Sequence, residues 1–161
     1  MATFESSLLS ETSPERMNEM DKYGRFDAYR RIHGFLEGDR FKGFVLVNFG
    51  LAIIDDFLDK GDRKEDHLKM LIKILKEGYE GKKLKRKDKL LNYVSELGNL
   101  LLRLKQKRYF YAKDIFLETL NFFKADKENL SRKGEILSQK RLDKLNMAIG
   151  GSVGRQLMYF V

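Results

Sequence analysis

Three aspartates, Asp55, Asp56 and Asp59, end a largely apolar run in the stretch AIIDDFLDKGDR, residues 52–63. On a helix, Asp55 and Asp59 share a face one turn apart, and Asp56 points about 100° away. Carboxylates in the last turn of a helix face the negative end of its dipole, which costs roughly 0.3–1 kcal/mol per charge. A bound Mg²⁺ would offset this cost, because it takes one or two carboxylates together with water and phosphate oxygens.

This pattern makes all three aspartates candidate magnesium ligands, with Asp55 and Asp59 as the pair that would act on a diphosphate held by the metal. The apolar residues before them would then line a pocket for a hydrophobic tail. A simpler interpretation stays open, in which the acids lie on a solvated helix end and are neutralised by nearby basic residues. Those basic residues are Lys60, Arg63 and Lys64.

The elements that position these residues are predicted to be helices. One proline, 35% charged residues and a wealth of Leu, Lys, Glu and Ile favour helices over strands. We expect an all-α, single-domain bundle of about six helices over residues 13–161, after a flexible segment of residues 1–12. The apolar periodicity predicts helices over residues 14–37, 40–60, 66–79, 89–106, 109–124 and 138–161, and the second is apolar nearly all round, which predicts a buried central helix.

The last predicted helix contains three glycines, Gly150, Gly151 and Gly154. Each costs about 1 kcal/mol relative to alanine inside a helix, so we expect them to admit a neighbouring backbone or a ligand. The chain stops at the apolar residues MYFV, which suggests that the sequence is part of a longer protein.

The aspartate cluster and the glycine-containing last helix together resemble the squalene/phytoene synthase family, all-α enzymes that condense two prenyl diphosphates head to head with Mg²⁺. DDFLD, residues 55–59, is similar to the first aspartate motif of that family, and residues 125–161 are similar to its later V-A-G-x-V-G helix. The resemblance implies a Mg²⁺-dependent prenyltransferase whose substrate tail passes Gly150, Gly151, Val153 and Gly154. The second aspartate motif of the family is not found in residues 1–161, so the full condensation would need a longer chain or a partner.

Basic segments support an alternative function without catalysis. The net charge is +8, and basic residues adjoin the aromatic trio of residues 109–111, a mixture suited to phosphate contact with stacking on bases. The chain would then be a helical binding protein for nucleic acid, RNA included, or for an anionic membrane, like a viral matrix or accessory domain. The candidate residues are Lys82, Lys83, Lys85, Arg86, Lys87, Lys89, Lys107 and Arg108.

Several classes of protein are excluded by composition. The chain has no cysteine, which rules out disulfides, zinc ribbons and thiol catalysis. The N-terminus lacks the basic and apolar regions of a secretory signal, and the longest nearly apolar stretch, residues 43–54, is shorter than a membrane span of about 18 residues or more. We therefore expect a cytoplasmic protein without a transmembrane segment, either free or peripheral to a membrane.

Overall fold

The structure, a computed structural model, describes residues 14–22, 24–54, 64–82, 89–130 and 137–161. These residues form an all-α bundle without strands, which confirms the predicted fold class. Seven α-helices lie within the described part of the chain: α1 Pro14–Lys22, α2 Arg25–Ile32, α3 Gly38–Val45, α4 Lys64–Tyr79, α5 Lys89–Gln106, α6 Ala112–Leu130 and α7 Gln139–Phe160.

The first predicted helix, over residues 14–37, is wrong, because the chain forms two helices there. Gly24 adopts a left-handed conformation with φ of 69°, which separates α1 from α2. Such a backbone is inexpensive only for glycine. After α2, His33 serves as the C-cap, and Gly34 and Gly38 also have positive φ.

The predicted central helix is confirmed over its described length. It begins as α3, widens into a π-helical segment at Leu46–Gly50, and continues as α-helix through residues 51–54. Every residue from Gly43 to Ile54 is buried, so this helix supplies much of the core. Residues 55–60 of the predicted helix lie outside the described residues.

Helices α4 and α5 approach each other most closely at Gly78 and Gly98. A Cβ atom added to Gly98 would lie 2.6 Å from the carbonyl oxygen of Leu75, and one added to Gly78 would lie 2.6 Å from that of Ser95. Because backbone meets backbone at this crossing, only glycine fits at both positions.

Helices α6 and α7 run antiparallel. Arg155 Nε and Nη2 donate to the two carboxylate oxygens of Glu118, each at 2.9 Å, and the neighbouring buried Thr119 donates to Gln156 Oε1 at 2.6 Å. Helix α6 was predicted to span residues 109–124 but begins at Ala112 and ends at Leu130. It starts later because residues 107–111 form a turn in which Arg108 has a φ of 60°.

Candidate functional site

The predicted magnesium ligands Asp55, Asp56 and Asp59 lie outside the described residues. The structure does describe the helix that leads to them, up to Ile54. Within the described part of the chain, no group of three or more acidic, histidine or cysteine side chains is arranged to hold a metal ion. The magnesium site therefore remains a prediction from the sequence.

The π-helical segment carries an unusual polar contact two turns before Asp55. Asn48 is fully buried, and its side-chain Nδ2 donates to the backbone carbonyl oxygen of Arg25 at 2.9 Å. The backbone carbonyl oxygen of Asn48 accepts in turn from Arg25 Nη1. Asn48 Oδ1 has no hydrogen-bond partner among the described residues. A buried acceptor without a partner is costly, and π-helical turns occur frequently at functional sites.

Helix α7, which carries the glycines, packs beside this central helix. Phe160, at the end of α7, lies directly against Gly43 of α3, and the π-helical segment also contacts α7. Val153 is buried, whereas a Cβ placed at Gly154 would have no atom of the described residues within 4 Å.

The atoms nearest to a Cβ added at Gly151 belong to the side chains of Arg155 and Met147, both from α7 itself. Among the described residues, no backbone of another helix is therefore among the nearest atoms at Gly151 or Gly154. The alternative, that they admit a ligand, stays a prediction. Gly150 lies in α7, but its surroundings are outside the described part of the structure.

A small apolar cavity lies between the central helix and α5. It has a volume of about 10 Å³ and is lined by Gly50, Ile54 and Tyr93 with their apolar neighbours. This volume holds about one water molecule. A prenyl tail would fit there only if the helices moved apart.

The predicted basic surface is described in part. Lys83, Lys85, Arg86 and Lys87 lie outside the described residues, and Lys89 is the first residue of α5. Lys82 pairs with Glu80 at 3.1 Å. Lys107 and Arg108 are exposed in the turn between α5 and α6, next to the aromatic trio.

The three residues of the aromatic trio differ in burial and in contacts. Tyr109 is half-buried, its hydroxyl donates to the carbonyl oxygen of Tyr159, and the guanidinium of Arg40 lies 5.2 Å from its ring centroid. Tyr111 stacks on Tyr159 with centroids 5.0 Å apart, whereas Phe110 projects from the turn with 82% of its surface exposed. Only part of the trio is core, and Phe110 is not.

A charged network that sequence reasoning missed fixes this end of the bundle. Asp39 Oδ1 accepts from Arg103 Nη2 at 2.9 Å and Asp39 Oδ2 from Lys107 Nζ at 3.2 Å. The hydrogen bond from Arg103 holds the pKa of Asp39 below its ordinary value of 3.8, although partial burial opposes the shift. Arg40 donates to the carbonyl oxygen of Phe160 through Nε at 3.1 Å and Nη2 at 2.6 Å. No local pattern signals these contacts, since the partners are 64 to 120 residues apart.

No helix in the described part of the chain is both long and apolar enough to cross a membrane. Comparison with known protein families, curated proteins and solved structures finds no match to this chain.

Proposed function

We propose that the protein binds a prenyl diphosphate with Mg²⁺ through Asp55, Asp56 and Asp59. The observation that carries the proposal is that the helix leading to the aspartates contacts the helix that carries the glycines. The central helix leads to the aspartates, and α7 carries the glycines and packs against it. Two motifs far apart in sequence thus belong to neighbouring helices, as one shared binding site requires.

Each part of this site has a defined role. On the helix that the sequence predicts through residue 60, Asp55 and Asp59 would share a face, so their carboxylates would hold Mg²⁺ ions that bridge to the diphosphate and neutralise its charge. Asp56 would complete the metal ligands from the adjoining face. Gly150, Gly151, Val153 and Gly154 would contact the hydrophobic tail.

Tail binding requires the bundle to open, because the cavity beside Ile54 has a volume of only about 10 Å³. The π-helical segment offers a place for such a movement, since its hydrogen bonds are already irregular and Asn48 Oδ1 lacks a partner among the described residues. We propose binding for this chain and not the complete condensation, for which the family uses a second aspartate motif.

Calorimetric titration with farnesyl diphosphate, with and without Mg²⁺, tests the proposal. We expect Mg²⁺-dependent binding that the Asp55→Asn/Asp59→Asn variant weakens by tenfold or more, which is about 1.4 kcal/mol per factor of ten. An Asp27→Asn/Asp143→Asn variant removes the same charge from two exposed aspartates elsewhere and should bind like the unaltered chain. Thermal unfolding gives an independent readout, because ligand at one hundred times its Kd stabilises the folded state by about 2.7 kcal/mol.

Binding that ignores both Mg²⁺ and the aspartate substitutions would refute the site, as would the absence of binding. Equal loss in the Asp27→Asn/Asp143→Asn control would show that only overall charge matters, and would also refute it.

A further inference from the structure

Two phenylalanines on separate turns project into solvent. Phe35, between α2 and α3, is 83% exposed, and Phe110, between α5 and α6, is 82% exposed. Isolated exposed apolar residues need no explanation, but two almost fully exposed phenylalanines at turn tips are uncommon in a chain with a well-filled core.

The contacts of the neighbouring residues place both phenylalanines at one end of the bundle. Phe35 lies four residues before Asp39, whose carboxylate binds Lys107 in the turn that carries Phe110. The ring centroids of Phe110 and Tyr111 lie 5.1 Å apart, and Tyr111 stacks on Tyr159, next to the exposed Met158. We call this surface, made of Phe35, Phe110, Tyr111 and Met158, the aromatic end.

Basic residues surround the aromatic end. Lys107, Arg108 and Lys113 are exposed within or beside the turn that carries Phe110. Lys105 Nζ lies 5.3 Å from the ring centroid of Tyr79. Lys82 follows Tyr79 by three residues and therefore also lies near this end.

The acidic residues near this end do not cancel that charge. Asp39 is already shared by Arg103 and Lys107, and Glu80 is paired with Lys82. Glu37 and Asp114 add two further carboxylates, whereas Arg108 and Lys113 have no ionic partner among the described residues. The surface therefore combines projecting apolar side chains with an excess of cations.

We infer that the aromatic end docks onto an anionic phospholipid bilayer. The phenylalanines and Met158 enter the boundary between headgroups and acyl chains, while the surrounding lysines and arginines contact lipid phosphates. This arrangement fits a bilayer better than a nucleic acid, because Met158 offers no ring for stacking and Tyr111 already stacks on Tyr159. The inference does not rest on prenyl-diphosphate binding, since Asp55 follows the other end of the central helix.

Co-sedimentation with phosphatidylcholine vesicles, with and without phosphatidylglycerol, tests this inference. We expect binding only when the anionic lipid is present, and we expect added salt to weaken it. Phe35→Ser/Phe110→Ser should reduce partitioning about 100-fold, near tenfold for each phenylalanine withdrawn from the bilayer. Arg108→Gln/Lys113→Gln should reduce it about 25-fold, near fivefold for each cation.

Matched controls use exposed residues of α7 in its N-terminal half. Leu142→Ser/Met147→Ser removes two exposed apolar side chains, and Lys140→Gln/Lys144→Gln removes two exposed cations. Both variants should partition like the unaltered chain. Asp55→Asn/Asp59→Asn should also retain vesicle binding, so failure of the membrane surface and failure of the prenyl-diphosphate site can be told apart.

Three outcomes would overturn the inference: no binding to anionic vesicles, binding unaffected by Phe35→Ser/Phe110→Ser, or equal losses in the α7 controls. Single-stranded oligonucleotide is titrated in parallel. Oligonucleotide binding that Arg108→Gln/Lys113→Gln weakens, without vesicle binding, would assign the surface to nucleic acid and refute docking on lipid.

Discussion

Replacing Gly98 with alanine should destabilise the bundle, even though alanine is the better helix former. The added Cβ would lie 2.6 Å from the carbonyl oxygen of Leu75 and 2.9 Å from the backbone nitrogen of Tyr79. Ordinary contact begins near 3.4 Å, so α4 and α5 must separate by about 0.8 Å (3.4 minus 2.6). Both neighbours are backbone atoms inside α4, so no side-chain rotation can relieve the clash.

The expected magnitude is a balance of two terms. Overpacking a helix contact costs about 1–3 kcal/mol, and a clash between two backbones belongs in the upper part of that range, at about 2–3 kcal/mol, because no side chain can move to relieve it. Alanine recovers about 1 kcal/mol of helix propensity. The net loss is therefore about 1–2 kcal/mol, which lowers the midpoint of thermal unfolding by roughly 2–8 °C in a domain of this size.

Gly154→Ala is the matched control, because it makes the same substitution inside α7, where no atom of the described residues lies within 4 Å of the new Cβ. Only the propensity gain applies there, so we expect stabilisation of up to about 1 kcal/mol. Thermal and urea unfolding, followed by far-ultraviolet circular dichroism, compares the two variants. If Gly98→Ala were as stable as the unaltered chain, the close approach of α4 and α5 would be refuted. If both variants gained stability, helix propensity and not the close contact would be the controlling term.

Three further substitutions probe the contacts between helices. Because the folded-state pKa of Asp39 is lowered, its contribution to stability is fully present above the ordinary value of 3.8 and is lost as pH falls through the lowered pKa. Asp39→Asn should therefore lower the free energy of unfolding by about 1–2 kcal/mol at neutral pH, a figure already reduced because Arg103 is partly exposed. In unfolding titrations at acid pH, the difference in stability between the variant and the unaltered chain should vanish. Thr119→Val leaves the buried amide of Gln156 without its bond and should cost about 1–3 kcal/mol in urea unfolding, whereas Thr119→Val/Gln156→Leu should recover most of that loss. Arg155→Lys loses the bidentate hydrogen bonds to Glu118 and should cost about 1 kcal/mol of stability. An unchanged urea midpoint would show that these hydrogen bonds do not stabilise the bundle.

Helices with a clear apolar period could be predicted closely from the sequence. Helix α5 occupies residues 89–106 as predicted, and α7 begins at residue 139, one residue after its predicted start. Periodicity could not reveal the break at Gly24, because the apolar pattern continues on both sides of it and only the backbone conformation interrupts the helix. The π-helical segment was equally hidden, since all its residues are buried and no face distinguishes it from an α-helix.

The helix-propensity cost of a glycine does not predict where two helices come into close contact. This cost marked α7 as the place of close approach, yet the close backbone contact lies at Gly78 and Gly98, single glycines in otherwise ordinary helices. Which glycine meets a backbone depends on how two helices cross, and that crossing is a tertiary property. The aromatic trio gave a partial signal, but the exposure of Phe110 depends on the turn of residues 107–111, which was predicted to be helical from Tyr109.

The two proposed sites are separated along the central helix. From Gly38, beside Asp39 and its contacts at the aromatic end, to Ile54 the helix has 17 residues, a length of about 25 Å. This exceeds the Debye length of about 8 Å at physiological ionic strength, so the charge of a Mg²⁺ ion beyond Ile54 would be largely screened at the aromatic end. Vesicle binding should therefore be the same with Mg²⁺ or with a chelator when lipid and ionic strength are held constant. If Mg²⁺ changed vesicle binding of the unaltered chain but not of Asp55→Asn/Asp59→Asn, the two ends would instead be coupled through the helix. The movement that opens the bundle for a tail would be the first candidate for that coupling.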